Sequence, residues 1–116
     1  MKITRLYSGS DGQSHFQDID LPLKKGDAGE VRTDRLPATG IVFRETSAQF
    51  SLGFHNAPAR QYVITLEGRA EIEVGDGTKR QFGPGDVMLA EDIGGQGHMT
   101  RALNSQPRKS IFVTLD

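Results

Sequence analysis

With 116 residues, the chain suits a single domain with one modest core. Its 14 Lys and Arg balance 15 Asp and Glu, which leaves no bulk charge to attract nucleic acid or a membrane surface; 35% apolar and 25% charged content argues against disorder. Cysteine is absent, which excludes disulfides, thiolate metal sites and cysteine nucleophiles.

The first residues, Met1-Lys2-Ile3-Thr4-Arg5-Leu6, carry no long apolar stretch. No signal peptide or membrane span is expected, and cytoplasmic residence is the default expectation. Ile3 to Tyr7 reads as a first strand. His15 to Leu21 alternates in part and then meets Pro22. Residues 24–34 are charged and contain glycine, which predicts an exposed loop. Ile41-Val42-Phe43-Arg44-Glu45 reads as a strand. Residues 1–36 are expected to form an arm or extra strands that cover the main body, or to reach a second subunit.

The clearest strands follow. Gln61-Tyr62-Val63-Ile64-Thr65-Leu66 is rich in β-branched and aromatic residues, and Ala70-Glu71-Ile72-Glu73-Val74 alternates cleanly. Gly75-Asp76-Gly77 predicts a hairpin turn into Thr78–Phe82. Gly83-Pro84-Gly85-Asp86 is a further tight turn, followed by a buried strand, Val87-Met88-Leu89-Ala90. His98–Ala102 and Ile111–Leu115 complete the set. No segment sustains helical periodicity, so an all-β sandwich or barrel with few or no helices is expected.

Two histidines frame the informative half: His55, heading His55-Asn56-Ala57-Pro58-Ala59-Arg60-Gln61, and His98, after Gly94-Gly95-Gln96-Gly97. With Gly68 as a closing glycine, this layout resembles the two motifs of the cupin family over residues 53–102. His55 stands at the first motif's leading His. Ala57 stands where the family has its second His, and Gln61 where it has Glu. Gly95 and His98 match the core of the second motif. Ile93 replaces its Pro, Ala102 replaces its Asn, and Gly85 lies two residues too far upstream.

The resemblance implies a jelly-roll barrel spanning residues 37–116. It also implies a pocket for a small-molecule ligand, with a divalent metal (Fe, Mn, Zn, Ni or Cu) held by His55, Gln61 and His98. A neutral amide in place of a carboxylate, and the loss of one imidazole at Ala57, weaken that ligand set. Whether the domain is an enzyme stays open. If it is one, metal-dependent isomerase, lyase or dioxygenase chemistry on a small oxygenated substrate is implied. The alternatives are a metal-free binding or sensing module using the same pocket, and a dimeric interaction protein.

Other residues are weighed as substitutes for the missing ligands. Glu91 and Asp92 precede the His98 loop, and His15 could approach if the N-terminal segment covers the opening. The plainer reading makes the two acids solvated and His15 an edge residue. Gln61, Val63 and Thr65 share one strand face. Tyr62, Ile64 and Leu66 share the other, and this apolar face needs a cover, which points to a homodimer. The glycine-rich stretches form no phosphate loop, and no serine has a nucleophile-elbow context.

Overall fold

A computed structural model describes all 116 residues. It contains twelve strands and no helix: β1 (Lys2–Ser8), β2 (Ser14–Asp20), β3 (Lys24–Lys25), β4 (Val31–Arg32), β5 (Gly40–Thr46), β6 (Ser51–His55), β7 (Gln61–Glu67), β8 (Ala70–Glu73), β9 (Lys79–Phe82), β10 (Val87–Glu91), β11 (His98–Ala102) and β12 (Arg108–Thr114). No helix is therefore long and apolar enough to cross a membrane.

Two sheets carry the architecture. A six-stranded sheet runs β2-β1-β10-β7-β12-β5, and a four-stranded sheet runs β6-β11-β8-β9. Period-two alternation sends one face of each inward. Gln61, Val63 and Thr65, which share one face of β7, are buried, and Leu6, Met88 and Ala90 join them from β1 and β10. Ile72, Val74 and Phe82 answer from the other sheet side, and all but Gln61 and Thr65 belong to one apolar cluster against which Phe16 and Phe112 also pack.

The N-terminal segment does more than cover this body. β1 lies inside the six-stranded sheet, parallel to β10 with Leu6 opposite Ala90, and β2 pairs antiparallel with β1 along its whole length. Residues 24–34 are exposed, as expected, but close on themselves through a small ladder of Lys24–Arg32 and Lys25–Val31. β6 was not legible as a strand. It pairs with β11 across a bulge: His55 opposes His98 and Leu52 opposes Thr100, so three steps on β6 face two on β11. An extra residue breaks the alternation from which a strand is read.

The outer face of the six-stranded sheet is apolar. Register aligns Ile41, Val113 and Tyr62 in one cross-strand row and Phe43, Ile111 and Ile64 in the next. These rows end on β5, an edge strand whose Phe43 is 74% exposed.

Candidate binding site between the two histidines

The pairing of β6 with β11 sets His55 directly opposite His98, and their ring centroids are 4.3 Å apart with the planes tilted by 57°. Glycine makes this approach possible. Gly97 has φ +79°, and a Cβ there would overlap the backbone carbonyl of His55. Gly95 has φ +73° and packs its Cα against the backbone of Gly12. Any side chain at these two positions would push the His98 loop off β6 and off the β1–β2 turn.

Hydrogen bonds lock the two motifs together. Asn56 Nδ2 donates to the carbonyls of Gly94 (2.9 Å), Gly95 (3.1 Å) and Asp92 (3.3 Å). The Ala57 N–H also donates to the Asp92 carbonyl (3.1 Å). Ser8 Oγ donates to the Gly94 carbonyl (2.8 Å), and the Gln96 N–H donates to the Gly12 carbonyl (2.9 Å), so the N-terminal hairpin is part of the site's frame.

Each imidazole is fixed through Nδ1. His98 Nδ1 donates to Asp92 Oδ2 at 2.6 Å, and His55 Nδ1 donates to the Gly53 carbonyl at 2.7 Å. An acceptor facing Nδ1 places the proton there, so a neutral ring keeps its lone pair on Nε2. Both histidines are thereby prepared to accept a proton, a hydrogen bond or a metal through Nε2.

Asp92 corrects the reading of that residue as solvated. It is fully buried, and Oδ2 also accepts a hydrogen bond from Ser14 Oγ at 2.7 Å. Oδ1 is buried without a partner and leaves one acceptor open beside the His98 ring. Asp92 is therefore a positioning residue for His98. Its burial was detectable in principle, since it continues the inward alternation of Met88 and Ala90. Ser14 and Asn56 carried no sequence signal, because their partners come from loops far along the chain.

The other candidates fall elsewhere. Glu91 points to the opposite face, where Arg5 Nε (2.6 Å) and Arg60 Nε (2.7 Å) donate to it. Burial alone would raise its carboxyl, but these two guanidiniums override that and hold it below the usual carboxylate range. His15 pairs with Asp11 at 2.8 Å and leans on Tyr7, away from the two rings. Gln61 is buried on the inner face of the other sheet, opposite Ala90 and Thr114, and its amide bonds to neither imidazole. Ala57 is buried in the apolar cluster, so no side chain replaces the second histidine of the resembled motif.

A solved structure decides the fold. The crystal structure of a Cupin 2 conserved barrel domain protein from Salinispora arenicola CNS-205 superposes with a TM-score of 0.53, covering 84% of this chain and 91% of that one at 20% sequence identity. The chain has the cupin fold. No protein-family model matches the sequence, and no curated protein matches it.

Against the full ligand set that the resemblance implies, this cupin-fold chain falls short. No three His, Cys, Asp or Glu side chains converge on one point. The available donors are two imidazole nitrogens on one sheet and the amide oxygen of Gln61 on the other. A divalent ion held by them would have no carboxylate to balance its charge. His98 and Gln61 are each 5% exposed, while His55 is half-buried and is the most accessible of the three.

Replacing Asp92 with Ala is expected to leave His98 Nδ1 and Ser14 Oγ unpaired in the interior, costing about 2–5 kcal/mol of stability. Urea denaturation of Asp92→Ala beside the unsubstituted protein measures this. A loss no greater than that of an exposed-site control such as Lys79→Ala would remove Asp92 from its positioning role.

Proposed function

We propose that this domain binds a small oxygenated molecule between its two sheets, through the Nε2 atoms of His55 and His98. The supporting observation is the pair of adjacent rings, 4.3 Å apart, whose Nδ1 atoms are both engaged. Two neighbouring acceptors suit a ligand hydroxyl or acid proton. The buried amide of Gln61 adds a donor and an acceptor from the opposite sheet.

The same three residues would hold a divalent ion if one binds. Such an ion would act as a Lewis acid on a coordinated ligand oxygen. With only neutral donors, its affinity falls below that of a set containing a carboxylate. His98, oriented by Asp92, accepts or returns a ligand proton at Nε2, and His55 orients the ligand at the entrance. Catalysis of an isomerase, lyase or dioxygenase type requires a bound ion and remains the finer form of this reading. Binding alone requires only the two rings.

Untagged protein stripped with a chelator and titrated calorimetrically with Zn, Ni, Mn, Fe or Cu salts tests the metal form. The expected result is weak, saturable binding near one ion per chain, lost in both His55→Ala and His98→Ala. Binding that persists in both variants would place the ion elsewhere. No binding of any of the five metals would leave the metal-free module.

We propose further that the domain is a homodimer, joined through the outer face of the six-stranded sheet. Two exposed apolar residues, Ile41 and Phe43, present this face on the edge strand β5, whose outer backbone groups have no partner strand. Soluble proteins rarely leave such an edge bare. A second copy supplies an identical edge and two further apolar rows, and a net charge of -1 opposes the pairing little. Sedimentation at micromolar concentration should show a dimer for the unsubstituted protein and a monomer for Phe43→Glu. A monomeric unsubstituted protein would contradict the proposal.

A further inference from the structure

Two guanidinium groups lie on the inner face of the six-stranded sheet without an acid between them. Arg108, at the start of β12, is 6% exposed. One of its terminal nitrogens, Nη2, donates to Thr65 Oγ1 at 2.8 Å, while Nε is buried with no partner. Arg44 lies on the adjacent strand β5, opposite Ser110, which is itself opposite Thr65 on β7. Its guanidinium carbon rests 4.8 Å from the Phe50 ring centroid and 5.2 Å from that of Phe112. All twelve ion pairs of the chain involve other residues.

This arrangement is electrostatically incomplete. A buried cation is costly unless an anion or several acceptors compensate it, and a second cation beside it raises the cost. The effect is visible in the proton affinities: burial, then the Arg44 charge, push Arg108 down to about 10, and burial lowers Arg44 as well. Thr65 satisfies a single N–H of the five that Arg108 carries.

We propose that Arg108 and Arg44, with the hydroxyls of Thr65 and Ser110, form a binding site for the carboxylate of a small organic acid. The planar fork of Arg108 matches a carboxylate through its free Nε edge. Phe50 and Phe112 cover the faces of Arg44, so its edges remain for hydrogen bonds and its surroundings suit an apolar ligand body. A carboxylate also loses less hydration on entry than a doubly charged phosphate. Arg108 lines a hollow of about 360 Å³ with Thr46 and Ser47, while Arg44 and Ser110 line an adjoining one of about 310 Å³ that shares Glu45 and Lys109 with it. Glu45 and Glu67 also line the first hollow, and Glu67 is paired with Lys109 at 3.4 Å.

The site is separate from the two histidines. Thr65 lies four residues along β7 from Gln61, about 13 Å at the usual strand rise. Its success or failure therefore leaves the reading of His55 and His98 untouched.

Thermal unfolding of the full chain in sodium succinate, sodium phosphate and sodium chloride at matched ionic strength tests the proposal. Succinate should raise the midpoint saturably, beyond chloride. In Arg44→Gln the apparent succinate affinity should fall on the order of tenfold, as expected for a lost charge-assisted hydrogen bond. A second readout needs no variant: the Arg108 Nε–H signal in a 1H–15N spectrum should shift on titration with succinate. Stabilisation by phosphate but not by succinate, equal succinate affinity in Arg44→Gln, or an unmoved Arg108 Nε–H would each overturn the proposal.

Discussion

The buried carboxylate of Asp92 organises this molecule's interior. One oxygen receives both His98 Nδ1 and Ser14 Oγ, so a single atom joins β2, the loop after β10 and the start of β11. The Asp92 backbone carbonyl takes the N–H of Ala57 and a bond from Asn56, which ties in the segment following β6. Three stretches that are distant in sequence, around Ser14, Asn56 and Asp92–His98, are thus fixed around one residue. Water cannot substitute for these partners in the interior, so each bond is costly to lose. The orientation of the His98 ring, and with it the position of its free nitrogen beside His55, follows from this node.

The inner face of the six-stranded sheet departs from a purely apolar interior in two places. Gln61 lies at one end of β7 and Thr65 at the other, with Val63 between them in the apolar cluster. Each polar position stands near a group with unused hydrogen-bonding capacity. Gln61 is opposite Ala90, two residues before Asp92 with its open Oδ1. Near Thr65 lies the buried Nε of Arg108. Buried polar groups in a folded protein are normally paired, so these open positions stand out from the rest of the interior. A cupin fold supplies the frame for both places, but the fold alone does not select a ligand.

Much of the architecture was legible in the chain because alternation and turn chemistry agree over residues 61–90. That Gln61, Val63 and Thr65 share a face followed from period two; that this face is the inner one did not, since Tyr62, Ile64 and Leu66 are the more apolar set. The bulged β6 was not legible: Gly53 and an extra residue break the pattern that identifies a strand. Nor was the placement of β1 within the main sheet, because parallel pairing with β10 joins segments more than eighty residues apart. At the site, His55 and His98 were found through the resemblance to the cupin motifs. Asp92 was misjudged because glycines after it suggested solvent, although it shares the parity of Met88 and Ala90. Arg108 and Arg44 carried no local signal at all. Their lack of acidic partners is a property of the folded interior.

Both imidazoles face an acceptor through Nδ1, which places the proton there and leaves Nε2 free. Long-range 1H–15N NMR in mildly alkaline solution reads the tautomer of each ring directly. The account predicts the Nδ1–H form for His55 and for His98, with the His98 pattern disturbed in Asp92→Ala. An Nε2–H form at either ring would contradict it.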